Sequence, residues 1–126
     1  MVEGYAAAVR ANIERLNGIS GATVTSLHLT DGLSRSKVFA QLLADFCGRE
    51  LESAAQAMTA ATGAALCGAA AASGKTLGVI ASENARGFVS TPDAEGQAQA
   101  QQVYSDWCAL REAAAPQTTQ RIADHM

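Results

Sequence analysis

The sequence predicts an α/β domain, and three observations carry that expectation. Segments with helical apolar spacing alternate with short runs rich in β-branched residues. Alanine, which favours helix and lets elements approach closely, occurs 28 times. A chain of 126 residues is long enough to bury one sizeable core and too short for two.

The first predicted helix covers residues 3–16, where Tyr5, Val9, Ile13 and Leu16 recur at helical spacing and Arg10, Glu14 and Arg15 fall on other faces. Asn17-Gly18 is the expected stop, because glycine accepts the left-handed conformation past a helix end. Residues 22–30 read as a strand, and Asp31-Gly32 is a turn signal. Ser34 or Ser36 then caps a second helix to about Cys47, with Val38, Phe39, Leu42, Leu43 and Phe46 as its apolar stripe and Gly48 as its end. A short second strand follows at 49–53.

From Thr59 to Ser73 the chain is rich in Ala and Gly and carries no charge, so this helix is expected to be buried on most sides. Residues 75–90 read either as a short strand around Leu77, Val79 and Ile80 or as an apolar loop. Thr91-Pro92-Asp93-Ala94-Glu95 opens a last helix, with Thr as cap, Pro in the first turn and acids near its positive end. Val103, Trp107 and Leu110 align along it. It is expected to reach about Ala115 and to end at Pro116, which divides a domain at 1–116 from a polar tail at 117–126.

Composition excludes several functions. Hydrophobic residues are 48% and charged residues 17%, a globular balance. The net charge of -3 and pI near 5.2 lack the basic footprint that nucleic acid or an anionic membrane requires. No apolar run approaches the ~20 residues of a membrane span, and Met1-Val2-Glu3-Gly4-Tyr5 does not read as a signal peptide. Cys47, Cys67 and Cys108 are odd in number and unpaired in spacing. They suit a reduced cytoplasmic setting and give neither a disulfide framework nor a zinc site. With aromatics at 5%, the core is thin and expected to lean on a partner surface.

Most chemical candidates dissolve on inspection. Gly74-Lys75-Thr76 resembles the end of a phosphate-binding loop, but the required glycine five positions earlier is Ala69 and no strand precedes it. A helix end is the better account. His28 and His125 have no ligand partner at metal spacing, and His28 reads as a partly buried structural histidine. Cys47 and Cys67 sit on apolar helix faces, where thiols are buried and inert. Tyr104, Trp107 and Leu110 are expected to pack or to face a partner. The turn from Thr30 to Ser36 has the most promise: a strand feeding a glycine turn and a helix N-terminus is where α/β proteins bind phosphate. An ordinary strand-to-helix loop is the alternative.

A set of short motifs occurs in one order: Glu3-Gly4-Tyr5-Ala6, then Leu27-His28-Leu29-Thr30-Asp31-Gly32, Ser34-Arg35-Ser36, Gln41-Leu42-Leu43-Ala44-Asp45, Gly48-Arg49-Glu50-Leu51 and Thr62-Gly63-Ala64-Ala65. Pro92 and Tyr104-Ser105-Asp106-Trp107 close it. Over roughly residues 3 to 112 this resembles the C-terminal part of the FGGY carbohydrate kinases, the family of glycerol kinase and xylulokinase. There a helix leads to a strand ending in Gly-Gly, followed by an Arg-Ser or Arg-Asn pair, a Q-x-x-A-D helix, a G-R-P-V strand and a G-A-A helix.

The resemblance implies a partial actin/hexokinase-like (ribonuclease H-like) ATPase domain, helix-rich with a small sheet. It implies ATP as the cofactor, with candidate contacts at Gly32, Ser36 and Arg35, while Gln41 and Asp45 hold their helix in place. The first glycine of the family pair is Asp31 here, whose carboxylate adds bulk and repels phosphate oxygens. Met58 stands where the family has an acid. The family's N-terminal phosphate-binding segment and its catalytic aspartate have no counterpart in these residues, so no general base is available here for a sugar hydroxyl.

Three functions remain open: a nucleotide-domain segment of a carbohydrate kinase that is inactive alone, a stand-alone dimeric binding or scaffold protein, and an active small enzyme. The last is weakest, since no acid, base or nucleophile constellation is visible. A small sheet that in the family belongs to a larger one implies an exposed edge or face. The expected partners are therefore a second copy of the chain in a two-fold homodimer, or a separate N-terminal kinase half.

Overall fold

The computed structural model describes residues 1–54, 59–84 and 87–125. Its elements, in order, are α1 (Val2–Ser20), β1 (Ser26–Leu29), one 3-10 turn (Asp31–Arg35), α2 (Lys37–Cys47), β2 (Glu50–Ser53), α3 (Thr59–Ser73), α4 (Leu77–Asn84), β3 (Phe88–Ser90) and α5 (Ala94–His125). This is the expected helix-rich α/β arrangement. The short strand at 49–53 is real, and it is the centre of the sheet.

The sheet runs β1-β2-β3, with β1 parallel to β2 and β3 antiparallel to it. A parallel pair cannot be joined by a tight turn, and α2 supplies the crossover. Alternation sends Leu27, Leu29, Leu51, Ser53, Phe88 and Ser90 toward α2, while His28, Glu50, Glu52 and Val89 face solvent. His28 is therefore exposed rather than partly buried, and its Nδ1 lies 3.5 Å from Glu52 Oε2 on the neighbouring strand.

The core lies where α2 meets the sheet on one side and α1 and α5 on the other. Ala6, Ala7, Ala40, Ala44 and Ala100 are buried at the helix contacts and let the backbones close in. Phe39, Leu43, Phe46, Leu51 and Tyr104 supply the volume. Each large apolar side chain contributes about 1.5–3 kcal/mol on burial, so this short list makes the thin core that composition implies. Val38, assigned to the stripe by spacing, is 83% exposed in the first turn of α2 and stands outside the core.

Four boundaries differ from expectation. Helix α1 runs through Gly18 to Ser20, and Gly21 is the left-handed stop (φ 67°), its N–H donating to Asn17 O. Asp93, not Thr91, caps α5: its Oδ2 accepts from the N–H of Glu95 and Gly96 at 3.1 and 3.0 Å. The stretch 75–90 holds both a helix (α4) and the third strand (β3), not one short strand or a loop. Helix α5 passes through Pro116 to His125. Proline removes one ladder hydrogen bond and crowds the preceding turn, a cost of about 3 kcal/mol, but it does not force the chain out of helix.

The largest difference concerns α3. Its residues are mostly exposed, with only Thr62, Leu66 and Ala70 half-buried on the side toward α4. Gly74 (φ 69°) turns the chain between the two helices, and Lys75 Nζ pairs with Glu83 Oε1 at 2.8 Å across the turn. Gly74-Lys75-Thr76 is thus a helix end followed by a salt bridge. Apolar composition signals that a helix gains from being covered, and within the described residues only α4 offers α3 substantial cover.

Candidate functional site

The turn singled out by sequence sits at the C-terminal end of β1 and leads into α2. Asp31 has φ 62°, the left-handed region that glycine occupies without cost. Aspartate is among the few residues other than glycine that tolerate it. Ser34, 1% exposed, donates from Oγ to Asp31 O at 2.7 Å and pins the turn from inside. Thr30 Oγ1 donates to Asp31 Oδ2 at 3.3 Å.

Gly32, Arg35 and Ser36 are all exposed on the same turn, so the four predicted residues are brought together. A Cβ placed on Gly32 would meet no atom within 4 Å, so the fold itself leaves open space there. Ser36 is the N-cap of α2: its Oγ accepts from Phe39 N at 3.2 Å, which leaves its hydroxyl hydrogen available to a ligand. Arg35 has no hydrogen-bond or ion-pair partner among the described residues. The turn combines a left-handed residue, open space at Gly32 and the positive end of α2, features that suit an anionic group. The Asp31 carboxylate opposes it by charge. Gly32, Arg35 and Ser36 are the residues that could meet such a group.

Gln41 and Asp45 behave as a brace, as expected. Gln41 Nε2 donates to Asp45 Oδ1 at 2.9 Å and to Thr91 O at 2.8 Å. Asp45 Oδ1 also accepts from Asp93 N at 2.8 Å, tying α2 to the start of α5. A Cβ on Gly96 would collide with the Asp45 carboxylate, so glycine is what admits this close approach.

A second polar arrangement lies between α1, α2 and α5, and periodicity gave no sign of it. Arg10 Nε donates to Glu14 Oε1 at 3.0 Å, its Nη2 donates to Gln101 Oε1 at 2.9 Å, and its guanidinium lies 4.0 Å from the Tyr104 ring centre. Tyr104 OH donates to Glu14 Oε2 at 2.6 Å. Beside this network is a cavity of about 260 Å³, which Arg49 also lines. The i,i+4 pair Arg10–Glu14 was the only trace in the sequence; its partners on α5 lie some ninety residues away.

Among the described residues no cluster of His, Cys, Asp or Glu could hold a metal ion, and no helix is long and apolar enough to cross a membrane. All three cysteines are free; Cys67 is exposed, contrary to its expected burial, because it lies on the uncovered side of α3.

Comparison with solved structures returns FGGY-type kinases. A ligand-bound xylulose kinase from Lactobacillus acidophilus superposes with a TM-score of 0.57 at 23% identity, and a gluconate kinase from the same organism with 0.59 at 20%. Each match covers 75% of this chain and 19% of the kinase, so the chain spans about a fifth of their length. At that identity the likeness shows the fold. No curated protein sequence matches the chain. The family model for the C-terminal domain of the FGGY carbohydrate kinases matches residues 1–72, more than half of the 126. The strand, left-handed turn and capped helix that form the candidate site all fall inside that match, and the chain belongs to the FGGY family of carbohydrate kinases as part of its C-terminal domain.

Proposed function

We propose that this chain is the nucleotide-binding segment of an FGGY carbohydrate kinase, a transferase whose sugar site and catalytic base lie on residues other than these. The observation that carries the reading is the left-handed turn at Asp31, kept at the end of β1 with open space at Gly32 and a helix N-terminus behind it. Backbone of this shape suits the phosphates of ATP. The carboxylate of Asp31 works against them, so affinity is low in the parent chain.

Calorimetric titration of ATP-Mg tests this. The parent is expected to bind weakly and Asp31→Gly about tenfold more tightly, the factor that removal of roughly 1.4 kcal/mol of like-charge repulsion gives. Gly32→Val, which fills the open space, should abolish the heat in both backgrounds. Absence of binding by parent and Asp31→Gly alike would overturn the reading.

The second reading, a stand-alone dimeric binding or scaffold protein, is favoured by the exposure of α3. It requires a stable dimer without nucleotide affinity. A monomer at micromolar concentration in sedimentation velocity would remove it.

A further inference from the structure

We propose that the cavity between α1, α2 and α5 is a binding site for a small oxyanion, a phosphate or carboxylate group, with Arg49 as its charged anchor. This is separate from the nucleotide reading and stands or falls without it. The cavity, about 260 Å³, is near the small end of ligand sites and suits a molecule of few heavy atoms.

The charges around it are unequally satisfied. Arg10 and Glu14 neutralise each other at 3.0 Å, and Glu14 also takes the Tyr104 hydroxyl. Asp45 lines the wall, but its Oδ1 is occupied by Gln41 Nε2 and Asp93 N, and it lies at the positive end of α5. Arg49 is different. Its Nε is buried with no hydrogen-bond partner, and the guanidinium has no carboxylate within ion-pair distance among the described residues. Arg49 is half-buried and lines the cavity without a carboxylate partner, so an oxyanion there would gain a charge-assisted contact that no protein group supplies.

Neutral donors surround it. Gln101 Oε1 is engaged by Arg10 and Asn17 Oδ1 by the N–H of Val24, which turns both amide nitrogens over to other acceptors. Gln97 lines the same wall. A guanidinium with planar, forked donors and amide N–H groups beside it matches an oxyanion better than a neutral or cationic ligand.

Titration of inorganic phosphate into ¹⁵N-labelled protein, at ionic strength held constant with chloride, tests the site, with acetate as a second arm. Saturable shifts are expected at Gly48 and Arg49 and on the side-chain amides of Asn17, Gln97 and Gln101. Arg49→Gln should weaken phosphate binding by about tenfold or more and Arg49→Lys by less, because lysine keeps the charge and loses the fork. If Arg49→Gln does not keep the parent's circular dichroism, Gln97→Ala decides, with an expected loss of a few-fold. Competition by acetate would mean that carboxylates share the site; phosphate alone would mean a phosphate site. Shifts that do not saturate, that fall on Asp31–Ser36 instead, or that survive these substitutions unchanged would overturn the proposal.

Discussion

Tyr104 on α5 donates a 2.6 Å hydrogen bond to Glu14 on α1, and this contact joins the two outer helices across ninety residues of sequence. Burial, the largest single influence on Glu14, pushes its pKa up, but the hydrogen bonds from Tyr104 and Arg10 and the positive charge of Arg10 together hold it below its ordinary 4.5. A carboxylate with a lowered folded pKa contributes stability that is fully present above the unfolded value and is lost as pH falls through the folded one. Urea denaturation should therefore show stability declining below about pH 4.5. Tyr104→Phe should cost about 1 kcal/mol at pH 7, a charged hydrogen bond discounted for the half-exposed Glu14 side chain, and should make the acid decline shallower. Equal pH dependence in parent and variant would show that the contact does not set the titration of Glu14.

The left-handed backbone at Asp31 gives a stability prediction independent of any ligand. Asp31→Gly relieves a strain of about 1 kcal/mol, partly offset by the greater freedom of glycine in the unfolded chain. The variant should match the parent or exceed it by about 0.5 kcal/mol. Asp31→Val, with a branched Cβ at positive φ, should lose about 2 kcal/mol in the same denaturation experiment. Destabilisation by glycine comparable to that by valine would mean that the Asp31 side chain, not the backbone shape, sustains the turn.

How legible these features were depends on their range. The capping of α2 by Ser36, its left-handed end at Gly48 and the brace from Gln41 to Asp45 depend on residues close in sequence, and spacing or resemblance found them. The strand β3 was not found, since three residues, Phe88–Ser90, carry too little alternation to register. The exposure of α3 was read backwards because a row of alanines states a preference for cover and cannot state what provides it. The Arg10, Glu14, Gln101 and Tyr104 network escaped for a different reason: each residue is ordinary on its own helix, and only the packing of α1 on α5 makes them one group.

Two glycines should respond oppositely to alanine. A Cβ on Gly87 would collide with the backbone carbonyl of Ser53 on β2, and backbone in a sheet cannot yield as a flexible side chain does. Gly87→Ala should cost about 2–3 kcal/mol, through displacement of β3 from the central strand. Gly32→Ala meets nothing and should leave stability within about 0.5 kcal/mol. Thermal melts of the two variants beside the parent provide the comparison, and a Gly32→Ala loss as large as that of Gly87→Ala would show that the turn is closed rather than open.

The thiols offer a direct probe of which surfaces are covered in solution. Cys67 is exposed on α3, whereas Cys47 is half-buried, and burial raises its pKa to about 11 against the opposing pull of Arg10 and Arg49. The thiolate is the reactive form, so at pH 7.5, roughly 3.5 units below that value, very little of Cys47 is reactive. Maleimide labelling followed by peptide mass mapping should find Cys67 modified first and Cys47 slow until the pH approaches 11. The same labelling repeated across protein concentration reads the state of α3. A rate at Cys67 that falls as dimer forms would place α3 in the dimer contact, and a constant rate would leave that face uncovered by a second copy. Modification of Cys47 as fast as Cys67 at neutral pH would contradict the packing of α2 against α1.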